Sequence, residues 1–323
     1  MGTLQRTILI VLLGALSLHL SITLAVAQGS KKVAISRAQE PGETIKINSN
    51  LVEVPVSVTD ADGRPVRNLT AGDFQLEENG ARQQIVSLGN TARSPVEIAL
   101  LFDITGSVYD LFQFERQAAL RFLKDALKPN DAVSVFTIGA KPRLAQSRAV
   151  GVNKASAALM AVEPTKEPTS FYDAVVEASR YLRRTAAPGA RRVIVVISDG
   201  EDMASAKNGL RDAVKEAQRA ECTFYSINPS GPSIRLNKIS LKGQDGMVTL
   251  ATATGGAAFL PDGPEDLNDM FGRIAAELQA QYLLGYYSTD ERADGRFRRI
   301  TVRLPRRPDL RLRARPGYYA SKT

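Results

Sequence analysis

Val96-Glu97-Ile98-Ala99-Leu100-Leu101-Phe102-Asp103-Ile104-Thr105-Gly106-Ser107 opens with an apolar run and ends in polar side chains. The run has the character of a strand buried on both faces of a parallel sheet. It stops at Asp103. Thr105 and Ser107 then alternate with Ile104 and Gly106, so three oxygen-bearing side chains stand at i, i+2 and i+4 in a turn after a strand. Beyond the turn the pattern becomes helical. Open α/β sheets bind ligands at the carboxyl ends of their strands. A carboxylate and two hydroxyls there form a hard oxygen set, suited to Mg²⁺ or Mn²⁺ rather than Zn²⁺.

Working outward, Leu111, Phe114, Ala118, Phe122 and Ala126 recur at helical spacing, with Asp110 at the helix start. Residues 132–138 read as the next strand and Lys141 to Ala149 as an antiparallel edge strand. Helices are expected over 153–162 and 172–184. Val193-Ile194-Val195-Val196-Ile197 is a second doubly buried strand, ending in Ser198-Asp199-Gly200. A helix over 209–220 and a strand over 222–227 follow. Pro229 to Gly246 is punctuated by Gly and Ser and reads as a surface insertion. A short helix over 248–254, a strand over 257–260 and a last helix over 267–280 complete a doubly wound, mostly parallel α/β sheet with helices on both faces.

Asp103-Ile104-Thr105-Gly106-Ser107 resembles the Asp-x-Ser-x-Ser motif of von Willebrand factor type A (VWFA) domains, with Thr105 where that family usually has serine. Thr169, in Pro168-Thr169-Ser170-Phe171-Tyr172-Asp173, matches the family's loop threonine before a helix. Pro168 replaces a glycine often found there. Asp199 matches the acid of the family's closing Ser-Asp-Gly. The resemblance implies a Rossmann-like fold and a metal-ion-dependent adhesion site (MIDAS). Asp103, Thr105, Ser107, Thr169 and Asp199 would hold Mg²⁺, with Mn²⁺ as a substitute. A partner protein's Asp or Glu carboxylate would fill the open position. Tyr109, Phe171 and Glu201-Asp202-Met203 would form the rim. Read without the resemblance, Thr169 is better read as a plain helix N-cap.

The ends of the chain read as antiparallel β structure. Leu51 to Val58 alternates, with Pro55 placing it at an edge or bulge. Asn79-Gly80 is a hairpin signal, and Gln83 to Leu88 is the returning strand. Near the C-terminus, residues 281–287, 297–304 and 310–315 read as strands. Asp294-Gly295 is a further hairpin signal, and the arginines of 297–304 and 310–315 are expected on a solvated face. These strands are expected to join the N-terminal ones in a small antiparallel β module. The arrangement, including the Val58-Thr59-Asp60 to Gly63 turn and the Arg315-Pro316-Gly317-Tyr318-Tyr319 ending, is similar to that of exported bacterial VWFA-related proteins.

Met1 to Ala27 combines Arg6, an apolar run and Ala25-Val26-Ala27, the pattern of a secretory signal peptide. Retained, the run approaches the length of a membrane anchor, the one route to a membrane association. The expected organisation is a signal peptide over 1–27 and a linker over 28–47. An N-terminal β module over 48–92, a VWFA domain over 93–280 and C-terminal strands over 281–323 follow. The chain is expected to be exported, periplasmic or secreted.

Composition narrows the chemistry. The chain has 323 residues and a net charge of +8, without the basic helix or basic–aromatic motif of a nucleic-acid reader. Its single histidine is His19, inside the N-terminal apolar run, so the mature chain has no Ser-His-Asp or Cys-His machinery. Its single cysteine, Cys222, opens an apolar strand and reads as a buried thiol. The expected function is an exported, metal-dependent protein-binding module and not an enzyme. Two alternatives stay open from sequence: a metal-assisted hydrolase, and a structural envelope protein whose site is vestigial through Thr105. The sequence leaves oligomeric state undetermined.

Overall fold

In this computed structural model, residues 51–90, 94–106, 111–231, 238–263 and 266–322 are described. All lie in one compact unit, Asn48–Thr323. The expected signal peptide and linker, together with Ser107, Tyr109 and Asp110, lie outside them. In chain order the first strands are β1 (Leu51–Thr59), β2 (Gln75–Glu78), β3 (Ala81–Gln83) and β4 (Ile85–Asn90). The middle of the chain alternates: β5 (Val96–Asp103), α1 (Phe112–Ala126), β6 (Ala132–Ile138), β7 (Arg143–Val150), α2 (Asn153–Ala161), α3 (Phe171–Thr185), β8 (Arg191–Ile197), α4 (Leu210–Arg219) and β9 (Cys222–Ile227). It closes with α5 (Lys238–Thr254), β10 (Ala257–Phe259), α6 (Leu267–Ala280), β11 (Tyr282–Tyr287), β12 (Phe297–Arg303), β13 (Arg311–Ala314) and β14 (Gly317–Tyr319).

The central sheet runs β10-β9-β8-β5-β6-β7, parallel except for β7. Every residue of β5 is buried. Its side chains alternate between two cores: Ile98, Leu100 and Phe102 pack with α1 and α6, while Ala99 and Leu101 pack with α3 and α5. Burial on both faces explains why the strand reads as an apolar run and not as an alternation. Of its two acids, Glu97 is neutralised bidentately by Arg148 of β7 at 2.6–2.9 Å, and Asp103 stands at its carboxyl end. From β5 the chain winds outward through β6 and β7, then returns to β8 on the other flank. The winding therefore reverses between β5 and β8, which opens a crevice at their carboxyl ends, where open sheets bind ligands.

Strands from both chain ends build two antiparallel sheets, β13-β1-β11-β4 and β14-β12-β2-β3, around a core that includes Val54, Val56, Leu76, Leu284 and Tyr286. β1 is an inner strand. It tolerates Pro55 because its ladder with β13 begins only at Val56. Asn79 and Gly80, at φ 50° and 85°, make the expected hairpin turn between β2 and β3. The returning strand divides, however: β3 pairs with β2 and β4 pairs with β11. Asp294-Gly295 closes no hairpin, because β11 and β12 belong to different sheets.

The arginine expectation holds for Arg299, Arg303 and Arg311, which are exposed. It is corrected for Arg298 of β12, buried beside Glu78, and for Arg313 and Arg315, which reach acids. Arg313 pairs with Glu277 of α6, which also accepts from Ser57 at 2.7 Å and Tyr225 at 2.6 Å. This polar cluster joins β1 and β13 to the α/β layer. Cys222 is buried, and burial pushes its thiol up to about 12, as befits a packing residue. Among the described residues no helix is long and apolar enough to cross a membrane.

Candidate functional site

Phe102 pairs with Ile197 in the parallel ladder, so the next residues, Asp103 and Ser198, leave the sheet side by side. Ser198 Oγ donates to Asp103 Oδ2 at 2.5 Å. The other carboxylate oxygen accepts from the Thr105 amide at 3.0 Å and the Thr105 hydroxyl at 2.7 Å. A third segment arrives from the α2–α3 connection. The Ser170 amide and hydroxyl both donate to the Gly139 carbonyl at the end of β6, at 2.9 and 2.7 Å, which fixes Thr169 beside them. Thr169 Oγ1 lies 2.8 Å from Thr105 Oγ1.

Thr169 is not the helix cap. Ser170 occupies that position, and the first amides of α3 are capped from afar: Tyr172 donates to Asp202 Oδ1 at 3.2 Å and Asp173 to Ser205 Oγ at 3.0 Å. The hydroxyl of Thr169 therefore faces Thr105 instead of its own helix. Asp199 follows Ser198, its Oδ1 accepting from the Glu201 amide at 3.0 Å, and its charge acts on Asp103. Asp103, Thr105, Thr169 and Asp199 are all buried, while their chain neighbours Gly106, Glu167, Pro168 and Met203 are exposed. Of the expected rim, Met203 is exposed, Glu201 and Asp202 are half-buried, and Phe171 is corrected to a core residue at 0% exposure. Phe171 begins α3, and its ring packs inward between the helix and the sheet.

Burial raises the Asp103 carboxyl to about 6. The hydrogen bonds from Ser198 and Thr105 oppose the rise and the Asp199 charge adds to it. Without divalent cations, the folded chain then holds this proton more tightly than the unfolded chain between about pH 4 and 6. The sign follows: this contribution to stability is present below about pH 4 and is lost as pH rises towards 6, by roughly 3 kcal/mol. Urea unfolding in chelator across that window should show the midpoint falling; a flat or rising profile would contradict the burial of this charge.

Two residues of the neighbourhood were not assigned roles from sequence. Ser198 stood inside a motif quoted for its neighbour. Glu115 sits in the first turn of α1, where Phe114 was expected inward. Instead Phe112 is buried, its ring edge-on to Phe102 at 5.3 Å, and Phe114 is 62% exposed. Glu115, at i+3 from Phe112, shares the inward face. An acid at that spacing was the available signal.

A glycine pair holds the Asp199 loop. Gly200 has φ +75°, and a Cβ on Gly243 of α5 would stand 2.7 Å from the Gly200 carbonyl carbon and 2.8 Å from the Glu201 amide nitrogen. The expected surface insertion is thus partly the first half of α5. Its glycines permit close packing where they were read as breakers. Gly243→Ala must push α5 away from the loop, at about 1–3 kcal/mol. A thermal midpoint unchanged in this variant would contradict the packing.

An open, doubly wound α/β sheet with acids and hydroxyls at its switch point defines a class of ligand-binding domain. Residues 98–201 match the family model of the von Willebrand factor type A domain. Solved structures similar to the chain include an aerotolerance-related membrane protein from Bacteroides fragilis, at 20% identity over 57% of this chain and 98% of that one, with TM-score 0.45. A von Willebrand factor type A protein from Catenulispora acidiphila is 15% identical over 72% and 51%, with TM-score 0.47. Proximal thread matrix protein 1 from the mussel byssus, with zinc occupied MIDAS motif, is 14% identical over 61% and 48%, with TM-score 0.48. No curated protein matches the chain.

Proposed function

We propose that the chain is an exported, metal-ion-dependent protein-binding module. Asp103, Thr105, Thr169 and Asp199, with Ser107 from the motif, would hold Mg²⁺, and Mn²⁺ would substitute. The carrying observation is the meeting of three separate segments, 103–105, 169 and 198–199, at the sheet's switch point with oxygen donors throughout. Such a set suits a hard divalent cation and not Zn²⁺. Buried acids also need a cation or a proton between them, and the upward pressure on Asp103 reflects that need.

Bound there, the cation would supply a coordination position for an external carboxylate. The chain's own residues orient it. Thr105 and Thr169 fix two hydroxyls against each other, and Ser198 holds Asp103 in place. The buried donors favour an Asp or Glu that projects from its partner. Binding is preferred to catalysis because the only histidine, His19, falls in the N-terminal apolar run. Arg6 and Ala25-Val26-Ala27 in the same run support export.

Selection of a random-peptide display library on the immobilised chain in Mg²⁺, with elution by chelator, tests this reading. The eluted peptides should be enriched in an acidic position and fail to bind Asp199→Ala. Peptides without an acid, or bound equally in chelator, would contradict it.

A further inference from the structure

Glu115 is fully buried, and among the described residues neither of its carboxylate oxygens has a hydrogen-bond partner. A buried carboxylate in that state is strongly disfavoured unless it is protonated or offset by a cation. The charges that act on it are Asp103 and Asp199, and together with burial they push its carboxyl well above the ordinary range. Phe112, one turn earlier on the same face, packs against Phe102, the residue before Asp103. The first turn of α1 thus brings an unpartnered acid near the carboxyl end of β5, where the charges of Asp103 and Asp199 act on it.

Among the described residues no three acids are grouped closely enough to hold one ion between them. Glu115 is therefore not placed among the direct ligands. We infer that Glu115 is the outer-sphere carboxylate of the cation site, accepting hydrogen bonds from water ligands of the bound cation. This inference rests on the cation reading proposed above. It gives the orphaned oxygens their partners and adds a negative charge that favours a divalent ion. Outer-sphere carboxylates of this kind orient a metal's ligands and commonly change affinity by about 10–100-fold.

The test is Mn²⁺ titration by calorimetry, with thermal melts in chelator and in Mn²⁺, on the full chain and on Glu115→Gln, Glu115→Met and Asp103→Asn. Glu115→Gln keeps the shape and removes the charge. It should melt no lower than the native chain in chelator, weaken Mn²⁺ binding by about 10–100-fold, and shrink the Mn²⁺-induced rise in melting temperature. Glu115→Met fills the same space and keeps the test valid should the amide disturb folding; it should weaken binding likewise. If both Glu115 variants bind Mn²⁺ as the native chain does while Asp103→Asn does not, Glu115 is a packing acid and the inference falls alone. If the native chain itself binds no Mn²⁺, the cation reading falls and takes this inference with it.

Discussion

Asp103→Asn is expected to weaken divalent-cation binding by at least about a hundredfold while leaving the fold intact. Asp103 is completely buried and accepts three hydrogen bonds, from the Thr105 amide and hydroxyl and from Ser198 Oγ. Asparagine keeps an acceptor for Thr105. Its amide can donate to Ser198, whose hydroxyl rotates to accept. Shape and hydrogen bonding therefore survive and only the charge is lost. Since that charge is buried beside another acid, its removal should hold or raise the melting temperature in chelator. Loss of affinity without loss of stability separates a ligand from a scaffold residue. Mn²⁺ calorimetry and a chelator melt on the same sample decide it. An unchanged isotherm would show that the cation, if bound at all, sits elsewhere.

Glu78→Ala should be the most destabilising single change away from the site. Glu78 ends β2 at 2% exposure and accepts from Tyr286 OH at 2.6 Å, Tyr318 OH at 3.0 Å and Ser288 Oγ at 2.7 Å. Arg298 lies 3.6 Å away and is buried as well. Removing the carboxylate leaves Arg298 to Asp290, at 3.4 Å, and to backbone carbonyls, and it strips two buried phenols of their acceptor, while Ser288 Oγ keeps only the Asp290 carbonyl at 3.1 Å. Breaking one side of a buried ion pair costs about 3–5 kcal/mol, chiefly through the charge left behind. Replacing both partners, Glu78→Leu with Arg298→Met, should recover much of that loss. Urea unfolding measures both. A single variant within about 1 kcal/mol of the native chain would contradict the reading. Mn²⁺ affinity should hold in Glu78→Ala, because the two clusters share no residue.

The parts legible in the sequence were those whose signal is local. β5 and β8 are buried on both faces and read as apolar runs, and α6 is expected over the same residues, 267–280, that it occupies. Asp103 and Asp199 lie at the ends of neighbouring parallel strands, whose carboxyl ends lie together, so their shared rim was legible; Thr169 reaches it on the α2–α3 connection, through the Ser170 bonds to the Gly139 carbonyl. What escaped depended on remote partners. Gly243 and Gly246 look like helix breakers until Gly200 and Tyr172 are placed against them. Arg298 looks like a surface residue until Glu78, 220 residues earlier, is found beside it. Asp294-Gly295 has hairpin chemistry, yet its flanking strands serve different sheets. Glu115 was masked by a one-face error in α1, where Phe114 drew the apolar stripe away from Phe112.

The most direct test of the account is anomalous diffraction from crystals soaked in Mn²⁺. A single peak should lie at the crevice between β5 and β8, within reach of the Thr105 and Thr169 hydroxyls and on the side of Asp103 and Asp199, with a position open to an external carboxylate. A crevice without a peak at saturating Mn²⁺, with Ser198 and Thr105 still donating to Asp103, would contradict the claim that three loops of this sheet converge to hold one cation.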